Sequence, residues 1–125
     1  MKPRILIVDD SSLARRTTRQ ALEEQGYTVD EASDGAQAIE RFFLHKPNLV
    51  VLDMVMTGMY GLDVLEKMRE IDPTVKVIVA TADIQQSTQE QVRTAGAAGF
   101  INKPLNRKTL TEMVARVLQG DVVWN

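Results

Sequence analysis

The chain has 125 residues, 26% of them charged and 44% apolar, with a formal net charge of -2. That length and balance suit one globular domain with a single core and supply no broad basic field for nucleic acid or an anionic membrane. Cysteine is absent and His45 is the lone histidine, so disulfides, zinc-thiolate sites, thiol catalysis and multi-histidine metal sites are excluded. The opening run is too short for a signal peptide and no segment is long enough to span a bilayer, so a cytoplasmic protein is expected.

In chain order, five short apolar runs alternate with helix-length stretches: "RILIV" (4–8), "TVDEA" (28–32), "NLVVL" (48–52), "VKVIVA" (75–80) and "AGFIN" (98–102). The first, third and fourth are nearly continuous hydrophobics, the pattern of strands buried on both faces of a parallel sheet. The first helix sets Leu13, Ala14, Thr17, Ala21 and Leu22 on one face, with Gly26 beyond its end. The second, about 35–45, carries Ala38, Ile39, Phe42 and Phe43 inward and is capped by Ser33 or Asp34. The third uses Leu62, Leu65 and Met68 before Pro73. The fourth offers only Ile84, Val92 and Ala95, which predicts a loosely packed helix with much polar surface. The fifth opens at Asn106 and aligns Leu110, Met113, Val114, Val117 and Leu118. The closing "GDVVWN" is expected to be a frayed tail rather than a segment that folds Val122 and Trp124 back onto the body.

Five strand–helix pairs in strict alternation predict an α/β fold around a parallel sheet, with helices on both faces. Ligands of such sheets bind outside the carboxyl ends of the strands. There the sequence supplies Asp9 and Asp10 after the first strand, Asp53 after the third, Thr81 after the fourth and Lys103 after the fifth. Three carboxylates brought together repel by roughly 1 kcal/mol per pair in water and about four times that when partly buried. Lys103 neutralises one of them, and an all-oxygen donor set with room for water suits magnesium. Capping by an isolated "DD" would be unremarkable; five polar groups on one edge favour function.

A flavin site would need hydroxyl and backbone donors where Asp9 and Asp10 stand, and neither "GxxxxGK" nor "GxGxxG" occurs. The run "LDMVMT" resembles the D-x-D-x-T pattern of haloacid dehalogenase-like phosphatases, with Asp53 as nucleophile. Val55 replaces the second aspartate, so the acid that protonates a leaving alkoxide is missing.

The residues "VDD" (8–10), "VVLD" (50–53), "VIVATA" (77–82) and "AGAAGFINKPL" (95–105), in this order across the chain, closely resemble the receiver domain of two-component response regulators. The resemblance covers residues 1–125 and is to stand-alone receivers of the chemotaxis CheY type, without an output domain. It implies a flavodoxin-like (βα)5 doubly wound five-stranded parallel sheet with strand order 2-1-3-4-5. It implies that Asp53 is the phosphoacceptor for a sensor histidine kinase or a small donor such as acetyl phosphate. Asp10, Asp53 and the backbone carbonyl of Val55 would hold magnesium, with Asp9 acting through a water. Lys103 and Thr81 would contact phosphoryl oxygens by positioning and charge neutralisation, and the Lys103–Pro104 bond would be cis. No enzymatic activity beyond the domain's own phosphorylation and dephosphorylation is implied.

In the same family, the threonine and an aromatic residue on the fifth strand form the switch, here Thr81 and Phe100, where tyrosine is the commonest choice. Thr57 stands where proline is usual and Tyr60 where an acidic residue is common. Val55 and Asp83 occupy the positions that tune how water reaches the phosphoryl group. A protein target is expected on the face of the fourth helix, fifth strand and fifth helix, with no direct nucleic-acid or membrane partner. The run "TADIQQST" resembles chemotaxis receivers served by CheC-like or CheX-like phosphatases. The competing readings are a receiver-like binding module that is not phosphorylated and, less favoured, an aspartyl-phosphate phosphatase.

Overall fold

The computed structural model describes residues 2–56, 60–82 and 85–123. Thr57, Asp83, Ile84 and Trp124, each singled out above, lie outside the described residues. Five strands, β1 (Arg4–Val8), β2 (Thr28–Ala32), β3 (Leu49–Asp53), β4 (Val77–Thr81) and β5 (Gly99–Asn102), alternate with five helices. The helices are α1 (Ser12–Glu24), α2 (Gly35–His45), α3 (Gly61–Ile71), α4 (Gln86–Thr94) and α5 (Arg107–Leu118). The strands are all parallel and ordered β2-β1-β3-β4-β5, the flavodoxin-like arrangement expected. Asp53 and Thr81 are the last residues of β3 and β4 rather than the first residues beyond them.

Because side chains alternate across a strand, the sheet divides the core into two layers. Leu6, Val8, Val50, Leu52, Val77, Val79 and Phe100 face Phe42 of α2, Val64, Leu65 and Met68 of α3, and Val92 of α4. Ile5, Ile7, Val29, Leu49, Val51, Ile78 and Ile101 face Leu22 of α1 and Leu110, Met113, Val114 and Val117 of α5. The continuous hydrophobic character of β1, β3 and β4 follows from burial on both sides.

Helix limits follow local chemistry. Ser11, Asp34 and Asn106 each accept a backbone N–H of the first turn through a side-chain oxygen, capping α1, α2 and α5. Gly26, one residue beyond the α1 C-cap, takes φ +93°, a left-handed conformation that favours glycine.

Three sequence expectations are corrected. Leu13 is 71% exposed and Thr17 also faces solvent, while Thr18 is buried. Leu13 occupies the first turn of α1, and the helix meets the sheet through Thr18, Ala21 and Leu22. On α2, Phe42 fills the core but its neighbour Phe43 points outward and is 66% exposed. Adjacent residues sit about 100° apart on a helix, so one narrow buried stripe does not accommodate both. The third correction concerns the tail. Val123 is buried and pairs in parallel with Gly99, its N–H donating to Ala98 O at 2.8 Å. The outer edge of β5 offers unpaired backbone groups, and Val123 satisfies part of that edge.

Candidate functional site

β1 and β3 lie side by side, which sets Asp9 just past the end of one strand beside Asp53 at the end of the other. Their carboxylates and that of Asp10 each place an oxygen within 4.8 Å of the others. Asp9 and Asp53 are buried, whereas Asp10 is exposed. From β5, at the far edge of the sheet, the loop brings Lys103 back across the top: its Nζ lies 2.9 Å from Asp9 Oδ2 and 3.2 Å from Asp53 Oδ2. The Lys103–Pro104 bond is cis, and Lys103 N donates to Thr81 O at 2.8 Å, tying the lysine's backbone to the end of β4.

Both oxygens of Asp9 are engaged, Oδ1 by the Ser11 N–H at 2.9 Å and Oδ2 by Lys103. One side chain thus holds the β1–α1 turn and the β5–α5 loop together. Arg15 adds a second tie, its Nη1 donating to Asp9 O at 2.7 Å and its Nε to Glu31 Oε1 at 3.1 Å. Arg19 Nη1 reaches the other Glu31 oxygen at 2.7 Å.

Burial pushes the Asp53 carboxyl above its ordinary range; the Lys103 charge opposes this and the Asp9 charge adds to it. For Lys103, burial alone disfavours the ammonium, but the hydrogen bond to Asp9 and the charge of Asp53 outweigh it and raise the pKa. Three carboxylates against one ammonium leave the cluster net negative. Its donors are all oxygen, and the exposed side at Asp10 admits water, a set that fits a hard divalent cation retaining part of its hydration shell.

Other residues named from the sequence fall around this cluster. Thr81 is buried at the end of β4, and Phe100 lies wholly inside the core on β5. The Val55 side chain is exposed, and its N–H approaches Asp53 Oδ1 at 3.4 Å.

Gly61 was not legible as a site residue. A Cβ there would fall 2.5 Å from Asp53 O and 2.7 Å from Met54 Cα, and Gly61 N donates to Met54 O at 2.8 Å. The start of α3 therefore presses on the backbone that carries Asp53, an approach only glycine permits. Nor does any local pattern connect Arg15 with Glu31, sixteen residues away.

A doubly wound sheet of this order, with an acidic cluster and a lysine at its carboxyl edge, defines a receiver-type signalling domain. Residues 5–115 match the model of the response regulator receiver domain family, and the chain belongs to that family. It is 36% identical over 118 residues to the chemotaxis protein CheY of Thermotoga maritima, covering 94% of this chain and 98% of the relative. It is 31% identical over 118 residues to the sporulation initiation phosphotransferase F of Bacillus subtilis, covering 94% and 95%. Among solved structures, a CheY-like response regulator receiver domain protein from Methanospirillum hungatei superposes with a TM-score of 0.91 at 31% identity, covering 95% of each chain. The chain is thus a CheY-type receiver, a module of phosphorylation-dependent signalling. No helix among the described residues is long and apolar enough to cross a membrane.

Proposed function

We propose that this receiver accepts a phosphoryl group on Asp53 and, in that state, binds a protein target. The observation that carries the reading is Lys103 Nζ held between Asp9 and Asp53 beside a third carboxylate. Asp53 is the one of the three at a strand terminus flanked by both the lysine and the buried Thr81, so an attacking carboxylate oxygen is held in place by the sheet itself.

Asp10, Asp53 and the Val55 carbonyl would hold magnesium, with Asp9 outside the direct ligands because both its oxygens are already engaged. Bound there, magnesium supplies neutralisation of the phosphoryl oxygens during transfer. Lys103 contributes a movable ammonium that transfers its contact from Asp53 to a phosphoryl oxygen, and Thr81 contributes a hydroxyl to another. Asp53 attacks phosphorus, the bond to the donor's leaving group breaks, and its electron pair departs with the donor fragment, as acetate from acetyl phosphate or as the histidine imidazole, which takes up a proton. The phosphoryl charge is unchanged, and the carboxylate's charge leaves with that fragment. A sensor histidine kinase bearing a phosphohistidine, or acetyl phosphate, serves as donor within the cytoplasm.

The signal leaves through Thr81 and Phe100 toward the face made by α4, β5 and α5. Phe100 packs inside the core, so burial of the ring is the inward state and no hydroxyl assists it. Val55 and Asp83 are proposed to set the lifetime of the phosphoryl group, and a CheC-like or CheX-like phosphatase to shorten it. The similarity to both a CheY and a sporulation phosphotransferase accommodates a chemotaxis role and a relay role; the "TADIQQST" run favours chemotaxis.

Incubation with magnesium and acetyl phosphate, followed by intact-mass measurement, tests this reading. It predicts a gain of one phosphoryl group that is absent in Asp53→Asn and absent when magnesium is chelated. No gain in the unaltered protein supports a binding module that works without phosphorylation. Steady release of phosphate from a simple monoester supports a phosphatase.

A further inference from the structure

The carboxyl ends of α2 and α3 lie at the opposite edge of the sheet from the acidic cluster: α2 runs into β3 through residues 46–48, and α3 runs into β4 through residues 72–76. Between them is a groove of about 360 Å³ lined by Phe42, Phe43, Lys46, Pro47, Ile71 and Asp72. Phe43 is 66% exposed and Ile71 44% exposed, and Leu44, the residue after Phe43 on α2, is also exposed. Large apolar side chains grouped on one surface, rather than scattered, mark an interaction site. Two charges stand at the same groove. Lys46 and Asp72 both line it; neither has an ion-pair partner among the described residues and they do not pair with each other, although Asp72 Oδ1 accepts from the Thr74 N–H at 2.9 Å and from the Thr74 hydroxyl at 2.7 Å.

A surface that carries an apolar projection, a groove to receive it, and one cation and one anion that each lack an ion-pair partner is complementary to itself. In a two-fold interface each residue pair occurs twice. Phe43 then enters the groove of the other copy, Lys46 meets Asp72 of the partner subunit, and Asp72 meets the partner's Lys46. A heterologous partner would have to match the same four features by separate means.

We propose that the α2–α3 end is an isologous dimer face whose occupant is a second copy of this chain. Because it lies at the amino ends of the strands, the dimer leaves Asp53 and the α4–β5–α5 face accessible and forms whether or not Asp53 is phosphorylated.

Sedimentation velocity on the full chain at tens of micromolar, with and without acetyl phosphate, tests the proposal. It predicts a concentration-dependent dimer in both conditions. Phe43→Asp, an exposed position where folding is not at risk, weakens dimerisation by about tenfold or more, and Phe43→Ser does so less strongly. Lys46→Asp and Asp72→Lys each weaken it, and the two together restore it, because the swapped charges again oppose across the two-fold. A monomer throughout that range overturns the proposal. So does a dimer that survives Phe43→Asp, appears only with acetyl phosphate, or is not restored by the double exchange.

Discussion

Lys103 Nζ donates to Asp9 Oδ2 at 2.9 Å across 94 residues of chain, so the cation of the site is held by one carboxylate while it touches a second. The ammonium offsets part of the repulsion among Asp9, Asp10 and Asp53 and competes with any other cation for them. Removing it in Lys103→Ala is expected to tighten magnesium binding by about tenfold, which is about 1.4 kcal/mol, since the cluster loses its internal counter-charge. Phosphorylation by acetyl phosphate slows at least a hundredfold, on the order expected for the loss of a preorganised charge at a transferring group. Calorimetric titration with magnesium and a time course by mass read the two effects separately. Weaker magnesium binding in the variant contradicts this account of the lysine.

Gly61→Ala places a methyl group 2.5 Å from Asp53 O, with rigid backbone on the other side of the contact. Either α3 moves or the Asp53–Met54 segment does, at a cost of about 2 kcal/mol, typical of overpacking. Chemical denaturation should show that loss, and the rate of Asp53 phosphorylation should fall with it. Wild-type stability in the variant shows that the approach is not tight.

The Glu31 carboxyl is held below its ordinary value chiefly by the Arg19 hydrogen bond, with burial opposing and Arg15 assisting. A carboxylate whose pKa is depressed on folding contributes stability above its unfolded value, near 4.5, and loses that contribution as pH falls through the lower, folded value. Glu31→Gln is therefore expected to cost about 1 kcal/mol at neutral pH, the ion pairs being partly exposed, and nothing below the acid transition. Urea titrations over a pH series measure the difference. A gap between the two proteins that persists in strong acid contradicts the linkage.

Deletion of residues 121–125 removes the Val123 O that accepts the Phe100 N–H at 3.4 Å and the Val123 N–H given to Ala98 O. Hydrogen exchange at Phe100 should accelerate, and the bared edge of β5 should make the protein more prone to associate through strand pairing. Unchanged exchange there shows that the tail does not cover the strand in solution.

The alternation of strands and helices was legible because continuous hydrophobic runs in β1, β3 and β4 report burial on both faces of a sheet. Parallel strands bring their carboxyl ends to one edge, so the assembly of Asp9, Asp10, Asp53 and Lys103 followed from their positions at or just after the ends of β1, β3 and β5. Rotational placement on the helices was harder. Phe42 and Phe43 are the same residue type, and which of them enters the core depends on how α2 seats against β1 and β2, not on local sequence. Leu13 looked inward for the same reason. Gly61, the Arg15–Glu31 pair and the Val123 bridge lay beyond reach because each depends on contact between segments whose separation in space no periodicity records.

The most direct test of the central claim is reduction of the phosphorylated protein with borohydride, which converts an aspartyl phosphate to homoserine, followed by peptide mass sequencing. The account predicts homoserine at position 53, with Asp9 and Asp10 unchanged, and none without magnesium. Homoserine at position 9 or 10, or its absence from position 53 after a full phosphodonor treatment, would contradict it.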